Sequence, residues 1–337
     1  MDRNGKILEG LEKGRAAILE IGPSFYPIAA RRDGWNVTIV DHCDQAGLVA
    51  KYGAYPQLDV SKIEHVDVVW NGGSLARACG PEHAGQFDAI IASHVIEHIV
   101  DPIAFFRDAE ALLQPHGRII LAVPDKRLCF DCFRPVSTTG GVMQAHGEGR
   151  TRHSPAAVFD SLAHDARPVD GAPSWSRSDA FQPEFFYELV GALSSHQQAR
   201  QPDHDYIDIH GWVFTPASFK LIILELEALA MVNWRVCDMV ERDQLEFLAF
   251  LERSRVRPTG ILLTDERRRL MIRQIEEARE QAEWLLGGQA APSATLPMEI
   301  LSGELLAAEA PQAIPLAAPD LVARTRDQVQ KIQAMLG

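Results

Sequence analysis

The chain alternates short apolar runs with helical patterns throughout its first half, and this feature most constrains its fold. The runs are rich in β-branched residues and lie at Ala17–Ile21, Val37–Val40, Val66–Trp70, Phe87–Ala92 and Arg118–Val123. Strands that alternate with helices build a parallel sheet that is covered by helices on both faces. The sequence therefore predicts an α/β fold with a Rossmann-like, doubly wound and mainly parallel sheet.

The region from residue 126 to about 205 loses this periodicity and predicts an insertion. It is rich in His, Arg, Asp, Ser and Pro, and it holds one amphipathic helical pattern near Pro183–Leu193. Insertions of this kind usually cover a ligand site at the carboxyl ends of the strands. Regular patterns return with a sixth predicted strand, Tyr206–Phe214, and with a helix that begins at Thr215 and runs to about Met231.

The C-terminal part, residues 251–337, predicts a helical extension of a main domain that spans residues 1–250. A 4-3-4-3 spacing typical of a heptad seam is formed by Met271, Ile275, Ala278, Ala282 and Leu285. Residues 287–319 are rich in Ala and Pro and predict a linker, and Asp320–Leu336 repeats a heptad-like spacing. Packing against the main domain and pairing in a homo-oligomer both explain these helices.

Composition and charge exclude several classes of function. The net charge of −13 argues against nucleic-acid binding, which requires a basic face. No run approaches roughly 18 consecutive apolar residues, so no membrane span is predicted, and the first residues lack the apolar core of a secretory signal. The five cysteines form an odd, scattered set, which predicts a reduced, cytoplasmic compartment.

The end of the first predicted strand, LEIGPSFYP, is the first candidate ligand contact. A pyrophosphate site would need a G-x-G-x-x-G run and a helix N-terminus, whereas Gly22 is followed by Pro23, Ser24 and two aromatic residues. The Glu20 carboxylate would repel a pyrophosphate but suits a cationic ligand such as the sulfonium of S-adenosylmethionine. A solvated or salt-bridged acid at a strand end explains Glu20 equally well.

Asp41 ends the second predicted strand in the stretch VTIVDH. An acid roughly 20 residues after the first loop binds the ribose hydroxyls in NAD sites, and S-adenosylmethionine sites place an acid similarly. Asp41 alone therefore does not separate the two cofactors. It also stands near the start of the predicted helix Asp44–Tyr52, where it would serve as a cap, and the two roles can coexist.

The fourth predicted strand continues into the most specific stretch, FDAIIASHVIEHIVDP, which enters a helix at Asp101 and Pro102. Together with LEIGP, IVDH and LLQPHGRIILAVPD in the same order, this stretch resembles the class I S-adenosylmethionine-dependent methyltransferases. The resemblance covers about Ile7 to Asp125 closely and continues more loosely to Met231. A narrower likeness, carried by LEIGPSFYPIAA, AVPDKRLCFDCFRP and HGWVFTPASF among others, is to bacterial methyltransferase-domain proteins associated with glycan or cell-envelope biosynthesis.

The resemblance implies an enzyme that holds S-adenosylmethionine as cofactor at the strand ends. The residues it implies are Glu20, Gly22, Pro23 and Ser24 near the methionine part, Asp41 and His42 near the ribose and adenine, Gly73, Ser74 and Leu75 along the adenine, and Ser93, His94 and Val95 after the fourth strand. The chain departs from the family pattern at Ser24 and Tyr26, which replace later glycines, and at Asn71, where an acid is common. These departures concern the cofactor contacts and not the fold.

The implied reaction is methyl transfer, with a hydroxyl of a small molecule, sugar or glycan as the expected acceptor. The sulfonium is already activated, so alignment supplies much of the rate, and a hydroxyl acceptor gains from a general base. His146 and His153 of the insertion are the candidate bases, and Arg127, Arg134 and His98 are the candidate acceptor-binding residues. A surface loop or a local salt bridge explains each of them as well, and a structural hydrogen bond explains His98.

No metal site is predicted. Cys129 and Cys132 form a C-x-x-C without a second pair at zinc spacing, and their phenylalanine neighbours indicate ordinary packing. The stretch DHDYIDIH, Asp203–His210, holds ligand-type side chains, but the polar edge of a strand explains it more simply. Two other functions stay open: a nicotinamide-dependent oxidoreductase, which the glycine-poor first loop and Glu20 disfavour, and a non-catalytic module that retains the fold.

Overall fold

The structure, a computed structural model, describes residues 2–55, 58–179 and 183–286. Within these ranges no helix is long and apolar enough to cross a membrane. The predicted linker 287–319 and the predicted helix Asp320–Leu336 lie outside the described residues.

Strands and helices follow one another along the described chain. The strands are β1 (Ala17–Ile21), β2 (Asn36–Asp41), β3 (Val68–Val69), β4 (Phe87–Ser93), β5 (Leu113–Pro124), β6 (Ala166–Arg167), β7 (Glu184–Phe185), β8 (Trp234–Glu241) and β9 (Glu246–Arg253). The α-helices are α1 (Arg3–Ile7), α2 (Gln45–Tyr52), α3 (Leu75–Cys79), α4 (Pro102–Leu112), α5 (Thr139–Gly147), α6 (Pro155–Ala163), α7 (Leu189–Ala199), α8 (Pro216–Ala228) and α9 (Gly260–Leu286). The helix starts follow local chemistry, since Asp44, Asp101 and Thr215 each accept a hydrogen bond from the backbone N–H of the third residue after them.

One seven-stranded sheet has the order β3-β2-β1-β4-β5-β9-β8. The strands β1 to β5 pair in parallel, and β9 runs antiparallel to both β5 and β8. The order reverses next to β1, so the carboxyl ends of β1, β2 and β4 border one crevice. The predicted α/β, mainly parallel and doubly wound sheet is confirmed.

The apolar runs fill a core on each face of the sheet. Leu19 and Ile21 of β1 pack in the layer with α3, α4 and α8, whereas Ile18 packs in the opposite layer with α1 and α2. All three side chains are buried. A strand with apolar neighbours on both faces needs a nearly continuous apolar run, which is why β1, β4 and β5 were recognisable in the sequence.

The connection from β1 to β2 departs from a regular βαβ unit. Residues 22–35 are all described, and they form only a short 3₁₀ turn at Arg31–Asp33 in place of an α-helix. The first loop therefore has no α-helix N-terminus behind it.

The prediction of a sixth strand at Tyr206–Phe214 is wrong. This segment is extended but pairs only at Phe214, through an isolated bridge to Asp125. The antiparallel edge of the sheet is formed instead by β8 and β9, which sequence analysis did not assign. The alternation in Tyr206–Phe214 has another cause: Trp212 and Phe214 are buried in the core, while the segment crosses the strand ends.

The insertion is more regular than predicted. It contains α5, α6 and α7 and the two-stranded pair of β6 with β7. The helix predicted near Pro183–Leu193 is displaced, because Glu184–Phe185 forms β7 and the helix begins only at Leu189. Cys129 and Cys132 are both buried, in keeping with the predicted packing role.

Helix α9 packs on α8 through a face other than the predicted heptad seam. Its buried side chains include Leu270 and Glu277, and Glu277 accepts the Ala217 N–H at 3.0 Å. The seam residues Met271 and Ile275 are exposed on the described surface. Pairing of the chain in a homo-oligomer through this seam stays a prediction.

Candidate active site

The loop after β1 turns sharply at the carboxyl edge of the sheet. Gly22 has a φ of 68°, and a Cβ added there would lie 3.1 Å from the Val95 side chain. This close approach joins the first loop to the segment after β4 and requires a small residue. Ser24, where the resemblance expects a glycine, adopts a φ of 48°, so the serine retains a left-handed, glycine-like turn. The Pro23 carbonyl closes that turn by accepting the Tyr26 N–H at 2.8 Å.

Asp41 lies beside this loop, at the end of β2, and is 3% exposed. Its Oδ2 accepts the Ser24 N–H at 2.9 Å. Its Oδ1 accepts the His42 N–H at 2.8 Å and lies 2.6 Å from Nδ1 of the same residue. The carboxylate predicted to bind ribose thus also holds Ser24 in its unusual conformation. Because the His42 side chain is partly exposed, a ligand hydroxyl can take its place at Oδ1 by rotation of that side chain.

Glu20 does not present its carboxylate to the crevice. The residue is 2% exposed, and its two oxygens accept the backbone N–H groups of Ile28 at 2.6 Å and Ala29 at 2.9 Å. Burial raises the pKa of Glu20 to about 7, although the two hydrogen bonds act in the opposite direction. These contacts give Glu20 a supporting role for the first loop, in place of the predicted direct contact with a cationic ligand.

The turn after β3 leaves open space at the same edge. Gly72 and Gly73 have φ values of 124° and 73°, and a Cβ added to either would meet no described atom within 4 Å. Ser74 caps α3 by accepting the Arg77 N–H at 3.2 Å, and Leu75 is fully buried. The glycines can therefore border a flat ring, whereas the Ser74 and Leu75 side chains belong to the helix start and the core.

Ser93 and His94 belong to a buried polar network at the end of β4. Arg3 of α1 donates to Ser93 Oγ at 2.6 Å and pairs with Glu246 at 2.7 Å. His94, with a φ of 54°, places Nε2 2.9 Å from the second Glu246 oxygen. Burial alone would raise the pKa of Glu246, but His94 and Arg3 lower it to about 2. The network fixes the end of β4, and the predicted cofactor contacts of Ser93 and His94 stay predictions.

Replacing Glu246 with glutamine is expected to lower the free energy of unfolding by about 3 kcal/mol at pH 7, since Arg3 and His94 lose their counter-charge. The folded pKa of about 2 lies below the ordinary value of 4.5. The stabilisation is therefore complete above about pH 4.5 and disappears as the pH falls toward 2. Urea denaturation measures the free energy of unfolding of both proteins. The difference between wild type and variant should be smaller at about pH 3 than at pH 7.

A matched control for this variant is Glu252→Gln. Glu252 lies near the other end of β9 in an exposed pair with Arg235, and its loss should cost less than about 1 kcal/mol. A Glu246→Gln protein as stable as this control would contradict the assigned network.

Glu97, His98 and His210 lie together beside the end of β4. Glu97 is 1% exposed, and its Oε1 lies 3.9 Å from Nε2 of both His98 and His210. The opposite ring nitrogens face carboxylates: His98 Nδ1 lies 2.9 Å from Asp208, and His210 Nδ1 lies 2.5 Å from Asp131. Burial alone would lower the pKa of His98, but Asp208 and Glu97 raise it to about 9. Asp131 of the insertion and the Tyr206–Phe214 segment that follows it thus cover the end of β4 with charged and imidazole groups.

His153, one of the two predicted bases, is next to this cluster. It is buried, and its Nε2 lies 3.2 Å from the Tyr206 hydroxyl, which donates to the His98 carbonyl at 3.2 Å. A Cβ added to Gly211 would lie 2.3 Å from the His153 ring, so the glycine makes room for the imidazole. Burial lowers the pKa of His153 to about 4, which leaves the ring neutral at pH 7.

His146, the other predicted base, joins two helices. Its Nδ1 lies 2.8 Å from Asp101, the cap of α4, and its Nε2 lies 3.1 Å from the Arg107 guanidinium. Both ring nitrogens are therefore engaged, and the contacts favour a structural role at the end of α5.

The two arginines predicted to bind the acceptor differ in their distance from the cluster of Glu97, His98 and His210. Arg127 is fully buried and its guanidinium contacts Asp125, Glu241 and Glu280, so it holds β5, β8 and α9 together. Arg134 is 5% exposed and donates to Asp131 at 2.6 Å, the carboxylate that also faces His210. Arg134 thus lies behind the cluster, whereas Arg127 is a structural residue.

Glu97, Arg3 and Glu246 were not predicted from the sequence to have a role in the site. Glu97 and His98 stand next to each other in the stretch HVIEH. Their partner His210 comes from the distant stretch that we interpreted as the polar edge of a strand. Arg3 and Glu246 are far apart in the sequence and form an ion pair at the carboxyl ends of the parallel strands. No local spacing reports such a contact.

The strand order, the antiparallel β9 and the crevice bordered by Gly22, Asp41 and Ser93 define the class I methyltransferase fold. The model of the family described as "Methyltransferase domain" matches residues 11–223, and the chain belongs to this family. No curated protein matches the chain significantly.

Several solved structures follow a similar course. A methyltransferase from Aquifex aeolicus that depends on S-adenosylmethionine is 11% identical, covering 74% of this chain and 88% of that one, with a TM-score of 0.35. The 1,6-didemethyltoxoflavin-N1-methyltransferase of Burkholderia thailandensis, solved with S-adenosylhomocysteine, is 12% identical over 74% and 76%, with a TM-score of 0.36. A protein described as a Zn-dependent alcohol dehydrogenase from Rhodobacter sphaeroides is 15% identical over 74% and 88%, with a TM-score of 0.38. Likenesses this weak do not decide a cofactor, a substrate or a reaction.

Proposed function

We propose that the protein is an S-adenosylmethionine-dependent methyltransferase that methylates a hydroxyl of a small-molecule, sugar or glycan acceptor. The observation that carries the proposal is the pairing of Asp41 with the first loop at the crevice, in a chain of the methyltransferase domain family. That carboxylate stands at the end of β2, where a ribose diol is bound on sheets of this kind.

The residues at this edge fit a nucleoside that carries no phosphate. Gly22 keeps the first loop close to Val95 at the carboxyl edge of the sheet, and the exposed turn at Gly72 and Gly73 carries no side chain that would obstruct an adenine ring. The connection after β1 has no α-helix whose N-terminus would bind a pyrophosphate. These features favour S-adenosylmethionine over a dinucleotide such as NAD.

S-adenosylmethionine supplies a methyl group that is already activated by a positively charged sulfur, so alignment and proton removal are left to the protein. Neither Glu97 oxygen accepts a hydrogen bond from a described residue, and the carboxylate can therefore accept one from an acceptor hydroxyl. His153, neutral at pH 7 and linked to the His98 carbonyl through Tyr206, is the one of the two predicted bases that lies beside this cluster.

Calorimetric titration of the full chain with S-adenosylmethionine, S-adenosylhomocysteine and NAD tests the cofactor. We expect the two sulfur nucleosides to bind with one site per chain and NAD to give no heat. Binding of NAD alone would overturn the proposal in favour of an oxidoreductase, and binding of none would indicate a non-catalytic module. If S-adenosylmethionine binds, transfer of a labelled methyl group to a panel of sugars and phenols then distinguishes an enzyme from a binding protein.

A further inference from the structure

We propose that Glu97, His98 and His210 form a binding site for one divalent transition-metal ion of the Zn²⁺ type, on the acceptor side of the crevice. The three side chains offer one carboxylate oxygen and two imidazole nitrogens, and these ligand atoms lie within 4.8 Å of one another. No metal was predicted, because the stretch Asp203–His210 was interpreted as the polar edge of a strand.

The first observation is the state of Glu97. The residue is 1% exposed, and neither of its oxygens accepts a hydrogen bond from any described residue. The nearest nitrogens are His94 Nδ1 at 3.6 Å and the two Nε2 atoms at 3.9 Å, which is beyond hydrogen-bonding distance. A carboxylate buried this completely is normally paired, hydrogen-bonded or bound to a metal.

The second observation is the orientation of the two imidazoles. His98 and His210 both turn Nε2 toward Glu97. His210 Nδ1 is hydrogen-bonded to Asp131 at 2.5 Å, whereas His98 Nδ1 lies 2.9 Å from Asp208 without the geometry of a hydrogen bond. Metal-bound histidines almost always donate their other ring N–H to a carboxylate, a carbonyl or water, which fixes the tautomer that can bind the ion. His210 shows this arrangement, and two imidazoles that face one buried carboxylate without a hydrogen bond have the form of a metal centre.

The distances allow a common ion. Zn²⁺ lies about 2.0–2.1 Å from imidazole nitrogen and carboxylate oxygen, so two ligand atoms can be at most about 4.2 Å apart. The Glu97 oxygen is 3.9 Å from both Nε2 atoms, and the widest pair in the cluster must approach by several tenths of an ångström. Imidazole ligands favour Zn²⁺ and its transition-metal neighbours over Mg²⁺ and Ca²⁺, which prefer oxygen.

Three protein ligands leave a coordination position for water or substrate. The cluster is open on one side, since the Asp208 side chain is 71% exposed and that of His98 is 29% exposed. If the protein is the proposed methyltransferase, on which this step rests, the open position takes the acceptor oxygen. The ion would then orient the hydroxyl and make its proton more acidic.

Metal titration of the full chain after chelator treatment and dialysis tests the site without reference to activity. We expect Zn²⁺ by calorimetry, and Co²⁺ by its visible d–d absorption, to bind with one ion per chain. Glu97→Gln and His210→Gln should each weaken Zn²⁺ binding by at least about 100-fold, and Asp208→Asn by about 10-fold, as expected for a residue that orients a ligand. Asp208 is exposed, so its variant carries the test if a buried ligand variant does not fold.

His204→Gln is the matched control, because His204 lies in the same segment with Nδ1 2.6 Å from the Asp205 carbonyl and outside the cluster. It should bind metal like the wild type. Absence of a stoichiometric ion, or ligand variants that bind as the wild type does, would overturn the proposal and leave a buried ion-pair cluster. Titration of the wild type with S-adenosylmethionine keeps the two proposals apart. Cofactor binding without metal binding refutes only the metal site, whereas a wild type that does not bind the cofactor refutes the proposed function.

Discussion

Replacing Arg127 with methionine is expected to lower the free energy of unfolding by about 3–5 kcal/mol. The guanidinium is fully buried and donates to Asp125 at 2.5–3.1 Å, to Glu241 at 3.0 Å and to Glu280 at 2.9 Å. Methionine retains the volume but removes the charge, so Asp125 stays buried without its cation. Chemical denaturation followed by circular dichroism measures the loss.

Arg177→Met is the matched control. Arg177 also pairs with Glu241 and also lies over the Trp284 ring, but its side chain is 32% exposed. Its replacement should cost less than about 1 kcal/mol, since partly solvated pairs contribute little. If the two variants are equally stable, the structural role assigned to Arg127 is wrong. The hypothesis that Arg127 binds the acceptor would then be favoured again.

Replacing Asp41 with asparagine is expected to weaken S-adenosylmethionine binding by about 100-fold. Hydrogen bonds to a charged group contribute about 1.5–3 kcal/mol each, and the proposed site places the ribose hydroxyls on this carboxylate. The substitution retains the size of the side chain and one acceptor oxygen for the Ser24 N–H, which limits damage to the fold. Calorimetric titration with S-adenosylmethionine measures the effect.

Asp44→Asn provides the comparison for this variant. Asp44 is exposed at the start of α2, where its side chain accepts the Gly47 N–H at 2.8 Å. Asparagine is also a good cap, so neither stability nor cofactor affinity should change appreciably. An Asp41→Asn protein that binds the cofactor as tightly as the Asp44→Asn protein would exclude the ribose contact.

The parallel half of the sheet could be predicted because its strands are buried on both faces and therefore read as apolar runs. The antiparallel strands β8 and β9 were missed, although Glu246–Arg253 contains the run FLAFL. The alternating Tyr206–Phe214 segment was interpreted as the next strand. Its Trp212 and Phe214 are buried in the core, but the segment pairs only through one isolated bridge at Phe214. Alternation reports burial on one side and does not report hydrogen-bond pairing.

The sequence predicted which residues of the site lie at single strand ends. It did not predict the directions of their side chains or their contacts with distant parts of the chain. Gly22 and Asp41 lie at the carboxyl ends of β1 and β2, because a strand end has one place in a parallel sheet, and their cofactor contacts stay predictions. The direction of a side chain could not be predicted from the sequence pattern. Glu20, for example, turns toward the Ile28 and Ala29 amides. The grouping of Glu97 with His210 depends on how the insertion folds back over the sheet.

A crystal structure of the full chain with S-adenosylhomocysteine tests the central claim most directly. It should show the ribose hydroxyls within hydrogen-bonding distance of Asp41, the His42 ring displaced, and the sulfur facing the Glu97–His98 side of the crevice. A nucleoside bound elsewhere, or an Asp41 carboxylate that retains only its Ser24 and His42 contacts while the ligand is present, would contradict the proposed site.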